Sequence, residues 1–209
     1  QLVAVLTGAN GCFCAGADLS AVVKIKEKES KANLLSSNME DMGPMGPTRL
    51  FLSKPVIAAI EGFCVAGGLE LAAWCDLRIS KPSSTFGVFC RLRGVPLIDG
   101  GTVRLPKLIG RSRALDLILT GRSLSGTEAF NWGLVNRLVP ENEDVLTFTI
   151  NFIKNEILPH PQLCLQMDRK SIFDEEEEKK LLAIEFKNGL KSLNDQNFGT
   201  EIKKFFSKL

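Results

Sequence analysis

Along this chain, short β-branched apolar runs alternate with stretches of helical periodicity. Residues 2–7, Val56–Ile60 and Leu77–Ser80 have the length and composition of buried strands. After the second run, Gly62-Phe63-Cys64-Val65-Ala66-Gly67-Gly68 reads as a turn, and residues 69–75 read as a helix. Residues 86–91 form another extended piece. Residues 103–108, 112–120 and 126–132 then carry helical spacing, with Thr102 as N-cap of the first and Ser125 as N-cap of the last. Residues 134–139 read as a strand. Beyond residue 141 the pattern is helical only: 144–157, 161–173, Glu175–Leu193 and a final segment, 199–209. Residues 175–178 are all Glu and precede Lys179 and Lys180, which reads as an exposed face with i,i+4 ion pairs. The shift near Pro140 separates an α/β body, residues 1–140, from a helical C-terminal part, residues 141–209.

Two turns in this pattern look alike. Phe13-Cys14-Ala15-Gly16-Ala17 parallels Phe63-Cys64-Val65-Ala66-Gly67, and each lies between a strand and a helical run. Such a turn leaves backbone N–H groups free at the helix start, where they can hold an anion. Brought together, the two turns would offer two donors to one oxyanion. Taken separately, they are equally the ordinary tight turns of a β/α core. Glu70 follows the second turn, between Leu69 and Leu71. It is either a carboxylate in apolar surroundings or a solvent-facing residue of a packing helix. Asp99 lies in a glycine loop just ahead of a helix, where an acid serves chemistry or capping.

Composition narrows the function classes. The chain has 209 residues, 44% apolar and 24% charged, with a net charge of +2 from 26 basic and 24 acidic residues. This balance points to neither nucleic acid nor an anionic membrane surface. No apolar run approaches the roughly 20 residues that span a bilayer. The cysteines are Cys12, Cys14, Cys64, Cys75, Cys90 and Cys164, without CxxC spacing, and the single histidine is His160, between two prolines. That leaves zinc ligation and Ser–His or Cys–His catalysis with little support. Scattered cysteines fit a reducing compartment. Residues 24–31 are a solvated charge run. Residues 33–48 read as a mobile loop with partial helix, whose Met39, Met42 and Met45 either line a ligand path or fill gaps. The start directly on an apolar strand leads to the expectation that earlier strands, and any targeting signal, precede this stretch.

Four segments in order, VAVLTG…CFCAGADLS, KPVIAAIEGFCVAGGLELAAWCDLRIS, TFGVFCRLRGVPLIDGGTVRLPKLIG and ALDLILTGRSLSGTEAFNWGLVNRLVP, resemble the crotonase superfamily, the enoyl-CoA hydratase/isomerase family. The resemblance implies an α/β spiral of β-β-α turns, its opening strands missing here, closed by C-terminal helices that associate as a homotrimer or a hexamer of two trimers. It implies acyl-CoA as substrate, with no resident cofactor or metal, and an enolate held in an oxyanion hole. The two donors fall on Ala17 and Gly67. The CoA-contacting loop falls on Ala15, Ala17, Asp18 and Leu19, with Asp18 ordering the loop. The first catalytic glutamate falls on Glu70. The second falls on Cys90, a departure from the hydratase pattern, and Asp99 is expected to act in its place. Isomerase, decarboxylase and thioester-hydrolase variants of the family are compatible with the same motifs. So is an inactive CoA-binding or scaffold protein. Cys90 as a nucleophile lacks a nearby histidine. Mitochondrial, peroxisomal and cytoplasmic locations are not distinguished.

Overall fold

The structure, a computed structural model, describes residues 2–26, 35–195 and 197–208. The chain repeats one cycle: a strand in a first sheet, a strand in a second sheet, then a helix. β1 (Ala4–Thr7) enters the first sheet, Cys14 bridges to the second, and α1 (Leu19–Lys26) follows. β2 (Val56–Ile60), β3 (Phe63–Val65) and α2 (Gly67–Trp74) make the next turn. β4 (Leu77–Ser80) and β5 (Thr85–Gly87) lead through a 3-10 helix, Phe89–Arg93, to α3 (Gly101–Ile109) and α4 (Arg111–Thr120). β6 (Leu124–Ser125), α5 (Gly126–Asn131) and β7 (Arg137–Leu138) follow. The first sheet runs β1-β2-β4-β7, all parallel, with Ala4 opposite Val56 and Ile57 opposite Leu77. In the second sheet β5 pairs parallel with β3 and antiparallel with β6. This is the β-β-α spiral that the sequence resemblance implies.

Parallel strands covered on both faces need apolar residues throughout. All five residues of β2 are buried. Successive strand side chains point to opposite faces, and the core divides accordingly. Val56, Ala58 and Ile60 pack with Leu69, Ala72 and Phe86. Ile57 and Ala59 pack with Ile79 and with Val145 and Ile153 of α6 (Val145–Glu156). Beyond α6 come α7 (Gln162–Ile172), α8 (Glu175–Leu193) and α9 (Thr200–Phe206).

Long cationic side chains fasten these helices to the spiral. The buried Lys81 ammonium donates to the carbonyls of Pro140, Glu141 and Glu143. Arg169 of α7 pairs with the Asp76 carboxylate at 2.7 Å and donates to the Leu52 carbonyl. Arg104 of α3 pairs with Glu178 of α8 at 2.8 Å. Glu178 is therefore a buried partner of Arg104 rather than part of an exposed charged face, while Lys179 reaches Glu40.

Several local expectations change with pairing and packing. Phe63, Cys64 and Val65 form a strand rather than a turn, because β5 supplies their hydrogen-bond partners. Cys90 lies on the 3-10 helix rather than on an extended segment. Thr102 is inside α3, whose N-cap is Gly100 with φ of +96° and no side-chain cap. Ser125 does cap α5 by accepting the Glu128 N–H. The charge run at 24–31 lies mostly outside the described residues, as do residues 33 and 34 of the expected loop.

Candidate active site

The two similar turns meet edge to edge. Cys14 N–H donates to the Phe63 carbonyl at 2.9 Å, and Val65 N–H donates to the Cys14 carbonyl at 3.1 Å. The first turn is thus laid alongside β3 as a further strand edge. Glycine permits the approach at two points. A Cβ on Gly16 (φ +94°) would lie 2.9 Å from Ala66 Cβ and 3.2 Å from Gly67 N, and one on Gly68 would lie 2.2 Å from the Cys14 carbonyl oxygen. Ala66 holds a φ of +53°, unusual for a residue with a Cβ, and its N–H is tied to the Gly87 carbonyl. That conformation opens α2 directly at Gly67. Neither the Gly67 nor the Ala17 N–H has an acceptor among the described residues. Both residues line one cleft of about 570 Å³, mainly apolar, together with Ala15, Leu19, Glu70, Cys90 and Asp99.

Glu70 projects from the first turn of α2 into this cleft and is 3% exposed. Its Oε1 accepts the N–H groups of Asp99 and Gly101, each at 2.9 Å. Its other oxygen has no donor among the described residues. Burial pushes the carboxyl well above its usual range, and the charges of Glu185 and Asp99 push it the same way. The two N–H bonds oppose that rise without cancelling it. The net effect favours the neutral form of Glu70 relative to an exposed glutamate.

Asp99 reaches the cleft from the loop ahead of α3. Its Oδ1 accepts the Met45 N–H at 2.9 Å and the Thr48 hydroxyl. Burial raises its carboxyl, opposed by those two bonds and by Arg49 and Arg104. Asp99 thus also anchors the tight turn in which Gly43 and Gly46 exchange backbone hydrogen bonds. The Met45 side chain lies over Gly67, where an added Cβ would come within 2.7 Å of its sulfur. Asp18 is not among the cleft-lining residues, and its Oδ1 accepts the Ser20 N–H and hydroxyl.

A family model described as enoyl-CoA hydratase/isomerase matches residues 2–204. The chain belongs to this family. It is 40% identical over 168 residues to enoyl-CoA hydratase domain-containing protein 2, mitochondrial, of Homo sapiens, covering 79% of the chain and 56% of that protein. It is 37% identical over 145 residues to a mevalonyl-coenzyme A hydratase of Aspergillus fumigatus, covering 69% of the chain and 52% of that protein. The chain spans about half the length of these curated relatives. Among solved structures, carnitinyl-CoA hydratase from Mycobacterium avium superposes with a TM-score of 0.85 at 29% identity, over 99% of this chain and 78% of that one.

Cys90 is the residue that the resemblance sets at the expected place of a second glutamate. It lines the cleft, is buried, and its thiol is pushed up to about 12 by burial and by the charge of Glu70. A thiol of that kind is neutral at physiological pH and is neither a nucleophile nor a base for water. Iodoacetamide applied to the folded protein at pH 8 is expected to label the exposed Cys164 and leave Cys90 unmodified, as read by peptide mass spectrometry. Early labelling of Cys90 would contradict this environment.

The family motifs did not point to the residues that α8 adds. Leu190 and Leu193 of α8, with Phe198 just beyond it, form one wall of the cleft. Glu185 of α8 is 5% exposed and accepts from the loop that holds Asp99. A signal for Glu185 exists in the chain. Leu182, Glu185, Phe186 and Gly189 fall at i, i+3, i+4 and i+7, one buried helical stripe, and a carboxylate in such a stripe needs a partner.

Proposed function

We propose that this chain acts on acyl-CoA thioesters, moving protons at the carbons beside the thioester carbonyl. The observation that carries the reading is the pair of N–H groups, on Ala17 and Gly67, that have no acceptor among the described residues and line the same apolar cleft as Glu70. Proton transfer at those carbons places negative charge on the carbonyl oxygen. Preorganised backbone donors stabilise that charge and are typically the largest single catalytic contribution. Glu70 delivers or accepts the proton. The loop carrying Ala15, Asp18 and Leu19 is where the resemblance puts the CoA moiety. The relatives' printed names, hydratases of coenzyme A esters, support the same substrate class.

Two reactions fit, and they differ in what they require. A double-bond shift needs one group that moves a proton between carbons, a role Glu70 fills alone. Hydration also needs a second group to orient water. Cys90 is unsuited to that task, so in this reading Asp99 performs it, a second carboxyl in different surroundings. Incubation with crotonyl-CoA and with a 3-enoyl-CoA, followed by absorbance of the conjugated thioester, tests both reactions. Asp99→Asn keeps an acceptor for the Met45 N–H and the Thr48 hydroxyl, so the variant isolates the carboxylate's chemistry. Hydration is expected to fall about 100-fold in Asp99→Asn, with the double-bond shift retained. Undiminished hydration would remove Asp99 from the mechanism.

The thiol of Cys90 favours one alternative, a CoA-binding protein without turnover. Saturable CoA binding with no reaction on either substrate would establish it.

A further inference from the structure

Four successive N–H groups at the start of α3 are divided between two buried carboxylates. Glu70, from α2, takes those of Asp99 and Gly101. Glu185, from α8, takes the Gly100 N–H at 2.6 Å, the Thr102 N–H at 2.7 Å and the Thr102 hydroxyl at 2.7 Å. No side chain of the loop caps this helix start, and Glu185 does so from 85 residues further along the chain. Glu185 is not among the cleft-lining residues, so it acts on a ligand only through the loop. We propose that Glu185 is a positioning residue of the active site: with Glu70 it clamps the 99–102 loop, so that the C-terminal helical part governs the proton Glu70 handles.

The charged groups around the clamp bear on how readily Glu70 ionises. Arg104 of α3 donates to the Asp99 carbonyl at 3.0 Å and the Thr48 carbonyl at 2.8 Å, and pairs with Glu178. Arg49 stacks on Phe186 and acts electrostatically on Asp99, Asp41 and Glu185. Asp99 faces Glu70 from the loop, and Cys90 faces it from the 3-10 helix as a neutral thiol. Glu185 therefore has three donors and the attraction of Arg104. Glu70 has two donors, and the charges acting on it most strongly are negative. Burial raises both carboxyls, and the negative charge of Glu185 is among the causes that raise Glu70 further. Neutralising Glu185 removes that cause, so Glu70 is expected to ionise at lower pH.

The inference rests on the proposed acyl-CoA activity for its kinetic readout, so its test carries a second signal. In Glu185→Gln, the limb of the pH–rate profile belonging to Glu70 is expected to move to lower pH. Turnover is expected to drop about tenfold through loosened loop geometry, with KM little changed. Carboxyl NMR of protein labelled with ¹³C-glutamate, the Glu70 resonance assigned by its loss in Glu70→Gln, is expected to show the same displacement without substrate. Glu185→Asp keeps the charge and is expected to return the Glu70 titration toward wild type, which also guards against a Gln variant that folds poorly. A rate reduced equally at every pH, with the Glu70 resonance titrating as in wild type, would overturn the proposal. Absence of turnover in the wild-type protein would instead count against the acyl-CoA reading, and the NMR titration would still decide the role of Glu185.

Discussion

Replacing Glu70 by Gln is expected to lower turnover about 10²- to 10⁴-fold, the usual contribution of a positioned acid or base, with acyl-CoA binding and the fold retained. Gln keeps a carbonyl oxygen where Glu70 Oε1 accepts the Asp99 and Gly101 N–H groups, so the loop stays in place. What disappears is the transferable proton. Stability should respond in the opposite direction. Because burial raises the Glu70 carboxyl above its ordinary value of 4.5, its favourable contribution is fully present below that value and is lost as pH rises through the higher folded value. Gln cannot ionise, so the variant should lose less stability than wild type on the alkaline side. Steady-state kinetics with thermal melts at several pH values checks both statements. A variant with wild-type turnover would remove Glu70 from the chemistry.

Gly68→Val is expected to damage stability and activity together. A Cβ at position 68 would lie 2.2 Å from the Cys14 carbonyl oxygen and 2.7 Å from Cys14 Cβ. The nearest atom is backbone of the opposite turn, which must retreat because no flexible side-chain end can yield. Retreat breaks the exchange between Cys14 and the Phe63 and Val65 backbones. It also separates the Ala17 and Gly67 N–H groups. Overpacking of this kind costs about 1–3 kcal/mol, and misplacing one oxyanion donor lowers turnover about 10²- to 10³-fold. Melting temperature and acyl-CoA kinetics on the same preparation measure the two losses. Unchanged values would mean that the turns tolerate separation.

Much of the spiral was visible in the residue order. Val56–Ile60 shows five apolar residues in a row because a central parallel strand is covered on both faces. The likeness of the two turns was visible because close backbone approach demands small residues at matching places. Other features had no local signature. Phe63–Val65 is too short for a period to show, and its pairing with Thr85–Gly87 makes it a strand. Glu178 sits in a run of four glutamates that looks solvated, yet Arg104 draws it into the interior. Thr102 looks like a cap, while the capping is done by a carboxylate from another helix.

The amino-acid order by itself determined the family framework, the two glycine-bearing turns and the placing of Glu70 one helical step beyond the second. All of these depend on neighbours close in the chain. Only the tertiary structure decided that Ala17, Gly67, Glu70, Cys90 and Asp99 line one cleft, and that Glu185 shares the loop between them. The physical reason is that the state of a carboxyl depends on its burial and on the charges and donors around it. Here those reach Glu70 from the loop before α3 and from α8, far along the chain.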